Sequence, residues 1–218
     1  MSVLLALGGL AYASWLLQGW VAPDGLDPVR TYASELSATD QAKSWFFRCA
    51  DILAALLVGS AAALALRSRP HSRLGWWALG VFAVATLADA AFPLSCAPSA
   101  DAACAARETA RQVPLSHEIH LLTSVVAGAA LAFAVVALST WRLGRGRALI
   151  TLSVLTGTGY LLGTALTLAE AGRAYVDWPW PAALGAAQRG QLLCASAWLL
   201  VLAARWRRGL RPGRGEPR

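Results

Sequence analysis

The sequence predicts an all-α membrane protein, a six-transmembrane-helix bundle with both termini cytoplasmic. Three observations predict it: an apolar composition, six stretches of spanning length, and basic residues gathered on one side. The hydrophobic fraction is 57%, the charged fraction 14%, and the mean hydropathy +0.51. Soluble domains run at about 45–50% apolar and about 25% charged. The composition therefore excludes an ordinary soluble globule, a disordered chain and a collagen-like chain. A net charge of +7 with pI 9.9 fits either a nucleic-acid binder or the inner loops of a membrane protein. The placement of the charges favours loops, so no nucleic-acid partner is expected.

A membrane helix needs roughly 20 mostly apolar residues. The spans are expected at about 2–21, 45–66, 74–95, 117–140, 148–168 and 186–204. They form one domain over 1–205, and 206–218 reads as a basic, disordered cytoplasmic tail. The first run contains Ala11-Tyr12-Ala13, which suits a leader cleavage site. No Lys or Arg precedes it, and Gly19-Trp20-Val21 prolongs it past leader length, so it is expected to stay as a span. The second run ends at Arg67, and the third carries Asp89 shortly before Pro93. The fourth opens on His117, the fifth runs towards Glu170, and the sixth follows Gln188 and Arg189 to a cluster of arginines. No alternating pattern of barrel strands competes.

Orientation follows from the basic residues. Arg67, Arg69 and Arg73 lie in the second loop, with His71. Arg142, Arg145 and Arg147 lie in the fourth, and Arg205, Arg207, Arg208, Arg211, Arg214 and Arg218 at the end. These twelve basic residues meet one acid, Glu216, whereas the other side holds seven basic residues and eleven acids. That is the positive-inside pattern. Trp20, Trp45, Trp76, Trp77, Trp141, Trp178, Trp180 and Trp206 fall near helix ends, where an aromatic belt belongs. Asp177-Trp178-Pro179-Trp180-Pro181 reads as a stiff outer loop dipping into the headgroup layer.

Ionisable groups in apolar spans are costly, so they pair inside the bundle or line a wet cavity. Here Arg48, Asp51, Asp89, His117, Glu118, His120, Glu170 and Arg189 all fall at outer ends of spans. No comparable set marks the inner half. Two readings compete. In one, Arg48 and Arg189 neutralise Asp51, Asp89 or Glu170 and fix the packing. In the other, the cluster is an outward-facing site for a lipid headgroup or another amphiphile. His117 and His120 stand i, i+3 on one helical face. They suit hydrogen bonding or one general acid/base with Asp51 or Asp89 better than a metal site. No metal and no cofactor are expected.

Cys96 and Cys104 are close enough in sequence to close a small disulfide ring if the outer side is oxidising. Cys49 and Cys194 read as buried small hydrophobes. Gly159 and Gly163 give a GxxxG spacing, usable for a homo-oligomer or for contact within the bundle. No phosphate-binding loop, dinucleotide fingerprint, HExxH or GxSxG occurs.

Arg30-Thr-Tyr-Ala-Ser-Glu-Leu-Ser-Ala, then Phe47-Arg48 and Asp51, then Asp89 with Phe92-Pro93-Leu94 and Cys96, form an ordered series. His117, Gly185 and Gln188-Arg189 complete it. Together they resemble the bacterial and archaeal membrane family known as domain of unknown function 998. Ser37 stands where that family is expected to have Gly. A more distant likeness runs to six-helix membrane proteins that include glycolipid-remodelling factors. The resemblance implies a six-helix protein of a prokaryotic plasma membrane, without an established activity. It picks out Glu35, Arg48, Asp51, Asp89, His117 and Arg189.

The expected function is lipid-headgroup or amphiphile binding in an outer pocket formed by Glu35, Arg48, Asp51, Asp89, His117, His120 and Arg189. The alternatives are a lipid-modifying enzyme with His117, Asp89 and Asp51 as catalytic candidates, and a membrane scaffold subunit. A transporter is disfavoured, because a pathway needs polar groups in the inner half too.

Overall fold

The structure, a computed structural model, describes residues 1–23, 25–68, 72–139, 147–175 and 183–209. Arg69, His71, Trp141, Arg142, Arg145, the 177–181 loop and the tail residues Arg211, Arg214, Glu216 and Arg218 lie outside the described residues, as does the Arg208 side chain. The helices are α1 (Ser2–Ala11), α2 (Gln18–Val21), α3 (Ser44–Arg67), α4 (Arg73–Ala91), α5 (Ala102–Thr109), α6 (Leu115–Ser139), α7 (Arg147–Tyr175) and α8 (Leu184–Gly209). No strand occurs among the described residues. α4 ends because Phe92 precedes proline and turns towards extended backbone.

α3, α4, α6 and α7 up to Arg173 are long and apolar enough to cross a membrane. The first span is not one straight helix as expected. α1 and the following segment meet at a 43° bend, and together they count as a fifth candidate span. A 3₁₀ turn over Ser14–Leu17 opens the second arm, directly after the break at Tyr12 and Ala13. Its cause is polar: Ser14 and Gln18 are buried in the middle of the apolar run. Gln18 Nε2 donates to the Leu26 carbonyl at 2.5 Å, drawing the chain off the helical path. Irregular backbone at such depth is tolerated where protein covers it or a wet cavity adjoins it. α8 has the length of a span, but Arg189, Arg205 and Arg207 keep it out of the apolar set. α5 was not expected. Asp101 starts it by accepting the Ala103 N–H at 2.9 Å.

The helices close a ring in the order α1, α3, α4, α6, α7, α8 and back to α1, with α6 and α7 touching least. Leu5, Val58, Trp76, Leu79, Phe82, Leu131, Leu138, Trp198, Leu199 and Leu202 fill its middle. Leu56, Val84, Leu122, Val125, Leu155, Leu162 and Leu166 face outwards. So large an apolar exterior suits an apolar solvent. Trp20, Trp45 and Trp77 are exposed, as a belt requires. Trp76 is not in that belt; it is fully buried and meets Trp206 edge to face at 5.5 Å.

The end of the bundle where α6 stops and α7 begins carries a polar knot that the sequence reading lacks. Arg205, grouped above with the tail, is completely buried. Its Nη1 donates to the Leu138 and Ser139 carbonyls at 3.0 and 3.2 Å and to Ser153 Oγ at 2.8 Å. Trp198 Nε1 donates to Ser139 Oγ at 2.9 Å. The last carbonyls of α6 have no helical partner of their own, and a guanidinium there meets both that need and the helix dipole. A single arginine satisfies the end of one helix from another.

The Gly159 and Gly163 face is occupied inside the chain. A Cβ on Gly159 would lie 2.7 Å from Cys194 Sγ, and one on Gly163 would lie 2.7 Å from the Gln191 Cα. α8 therefore fills the seam expected to serve dimers or the bundle. Cys194 is half-buried, while Cys49 is exposed rather than buried. Gly163→Leu should lower stability by about 1–3 kcal/mol, because the clash is with backbone. Gly172→Leu, which meets nothing within 4 Å, should not. Thermal unfolding of both variants in detergent measures the difference.

Candidate functional site

The end of the bundle that carries residues 25–43 and 92–114 is assembled from loops held by buried side chains. Residues 33–37 form a 3₁₀ turn whose start is a capping box: the Tyr32 N–H donates to Glu35 Oε2 at 3.1 Å. Glu35 also accepts the Ser99 N–H at 2.8 Å and the Ser99 hydroxyl. One fully buried carboxylate thus joins the first outer loop to the second. The second loop is further closed by a disulfide between Cys96 and Cys104, with Cα atoms 6.1 Å apart. Thr39 N–H donates to the Leu94 carbonyl at 2.9 Å and stitches the same two segments. Burial pushes the Glu35 carboxyl above its ordinary 4.5, although the donors from Ser99 and Tyr32 pull the other way. Burial, with Glu35 and Glu108 nearby, pushes the Tyr32 phenol up to about 12.

His117 is fully buried beneath this lid. Its Nδ1 accepts the Ser95 N–H at 3.2 Å, and its Nε2 faces the Glu108 carboxylate at 2.9 Å. Both ring nitrogens are therefore engaged with the second loop and α5. His120 Nδ1 lies 3.2 Å from the Asp89 carbonyl and 3.6 Å from Asp89 Oδ1. The two histidines share no ligand. Among the described residues, no group of three or more His, Cys, Asp or Glu side chains is arranged to hold a metal.

Arg48 and Arg189 form no ion pair with the acids among the described residues. Arg48 Nε donates to the Ala90 carbonyl at 3.0 Å. Arg189 donates from Nη1 to the Pro28 and Thr31 carbonyls at 2.8 and 2.7 Å, and from Nη2 to Gln18 Oε1 at 2.6 Å. Gly185 permits this approach: a Cβ there would strike the Thr31 and Pro28 carbonyls. Glu170 pairs instead with Arg173 at 3.0 Å and accepts the Ala183 N–H at 2.9 Å. The ion pairs expected between Arg48 or Arg189 and Asp51, Asp89 or Glu170 are not formed. Amide and carbonyl oxygens take the guanidinium charge in their place.

Inside the ring, under the first loop, lies a cavity of about 120 Å³. The bent first span lines it with Tyr12, Ser14 and Trp15, and the loop with Ala33, Ser34 and Ser37. α3 adds Phe47 and Asp51, α4 adds Thr86 and Asp89, and α6 adds Ser124, Ala127 and Gly128. α7 adds Tyr160, and α8 adds Gln188, Gln191 and Leu192. Two of the seven sequence-predicted ligand residues, Asp51 and Asp89, line it; Glu35, Arg48, His117, His120 and Arg189 do not. Asp89 accepts from the Thr123 hydroxyl and from Ser124 Oγ, the latter at 2.8 Å. Tyr160 OH donates to the Gly128 carbonyl at 2.9 Å. Sequence reading missed Tyr12, Ser14, Thr86, Ser124, Tyr160 and Gln191. Ser14 and Gln18 inside an apolar run were the available signal, since polar residues there mark a break or a wet wall.

His117 does not reach Asp51 or Asp89, so the catalytic constellation expected of these three is not assembled. The histidine–acid pair beside the cavity is His120 with Asp89.

Long apolar helices define the class: this is a helical membrane protein. Within that class the chain belongs to the family described as "Protein of unknown function (DUF998)", which matches residues 5–205, from α1 to near the end of α8. No curated protein and no solved structure matches it.

Because burial raises the Glu35 carboxyl, its contribution to stability is whole below 4.5 and is lost as pH rises through the higher folded value. Glu35→Gln has no such proton to lose. The melting temperature of the wild type relative to Glu35→Gln should therefore fall as pH is raised above 4.5. A pH series of melting curves in detergent measures it.

Proposed function

We propose that this protein crosses the plasma membrane of a prokaryote six times, counting the bent first segment and α8 as spans, with both termini inside. The charge asymmetry supports that orientation. The cavity then faces the outer side, and its function is to receive the polar head of a membrane lipid or another amphiphile. One observation carries this reading: a cavity under the first loop, walled by every span, with two carboxylates on its wall. Buried ionisable groups lining a cavity are a functional signature, because an apolar core would be cheaper.

The seam between α6 and α7 favours an amphiphile over a fully water-soluble ligand. Their close approaches run through Gly128 with Tyr160 and Ser139 with Ser153, at the cavity and inward of it. Further out, Leu121, Leu122 and Val125 on α6 and Leu162 and Leu166 on α7 are exposed. An acyl chain lying along that seam would meet an apolar surface while its head sat among the hydroxyls. Lipid chemistry with His117 as acid/base has less support, because His117 is turned to Glu108.

Protein purified in a mild detergent should carry a lipid or amphiphile at close to one per chain, detected by mass spectrometry of the intact complex. Asp89→Asn should reduce its occupancy severalfold, because a charge-assisted contact is lost. An identical lipid profile in wild type and Asp89→Asn would count against the reading.

A further inference from the structure

We propose that the group the cavity recognises is a cationic nitrogen, an ammonium carried by an amphiphile and seated between Asp51 and Asp89. This rests on the pocket reading above and narrows it to one ligand chemistry. Among the described residues no Lys, Arg or His lines the cavity, although two carboxylates do. The nearest arginines are committed elsewhere, Arg48 to the Ala90 carbonyl and Arg189 to Gln18 and the loop carbonyls. Asp89 is held by hydroxyls and stands near His120. Asp51 receives no hydrogen bond and no ion pair among the described residues. A desolvated carboxylate without a counter-charge is expensive, and a bound cation offsets that cost.

A second observation points to a ligand independently of the acids. Thr86 is 5% exposed and lines the same cavity, yet its hydroxyl has no partner among the described residues. The Trp15 indole N–H, also on the wall, is likewise without one. Buried polar atoms in native proteins are nearly all paired, so an orphan hydroxyl on a residue of the cavity wall marks a place for a guest. Size and wall chemistry say what kind. A single ordered water needs about 10–15 Å³ of such space. The 120 Å³ here suits a headgroup of several heavy atoms better than a bare ion. The rings of Tyr12, Trp15 and Tyr160 flank the acids, and aromatic faces favour organic ammonium groups.

The test compares three probes of equal chain length, dodecylammonium, dodecanol and dodecyl sulfate. Each is added at low mole fraction to the full chain in neutral detergent, and binding is followed by intact-complex mass spectrometry. Wild type should bind dodecylammonium at least about tenfold more tightly than either other probe. Asp51→Asn and the isosteric Thr86→Val should weaken dodecylammonium alone. Gly128→Leu fills the cavity, since a Cβ there meets nothing nearer than the Tyr160 hydroxyl at 4.0 Å, and should abolish binding. If all three probes bind alike and Gly128→Leu abolishes them all, the pocket stands and the cationic preference is overturned. If Gly128→Leu changes nothing for any probe, the pocket reading itself falls. Butylammonium supplies the last arm: failure to compete supports an amphiphile, and competition at equal concentration overturns the amphiphile part of the proposal.

Discussion

The outer half of the bundle depends on how one guanidinium is satisfied. Arg189 sits near the start of α8, and its donors reach three carbonyls and the Gln18 side chain. Those partners belong to the first loop, to the bent first span and to α8 itself. One side chain therefore sets the bend, the path of the loop over the cavity and the junction between the two ends of the ring. Neutral oxygens can hold an arginine in this way because five N–H groups fan out in a fixed plane. The electrostatic result is a positive charge fully engaged without an acid. The carboxylates of Asp51 and Asp89 are left without a guanidinium.

The same device recurs at the opposite end. Arg205 meets the last carbonyls of α6 and the Ser153 hydroxyl. Between the two arginines the ring is packed with Leu131, Val135, Trp198, Leu199 and Leu202. The polar chemistry is therefore divided between the two ends of the bundle, separated by an apolar plug. The proposed binding role needs no continuous polar lining, whereas a conduit would. The knot at Arg205 joins α6, α7 and α8, the region where α6 and α7 otherwise touch least.

Helix positions were legible because hydropathy and span length act locally. The ranges expected for α3 and α4 begin within a residue of the observed starts. The bend in the first span was not legible, because it depends on Gln18 meeting Leu26 and Arg189, a contact made only in three dimensions. Asp51 and Asp89 were legible as costly charges at a common depth. Their counter-charges were not, because arginine satisfied by carbonyls leaves no sequence signature. His117 and His120 looked equivalent at i, i+3, yet one turns to α5 and the other to α4. α5 was hidden because only its Asp101 cap and one short amphipathic turn announce it.

The closed ring has a consequence for biogenesis. α1 leaves the ribosome first, yet one of its two flanking helices, α8, is synthesised after all the others. Until α8 is inserted, Gln18 has no guanidinium to hold and the flank of α1 lies open to lipid. The translocation machinery must shelter a kinked, partly polar segment while α3 to α7 are threaded past it. The helix made earliest is the one seated last.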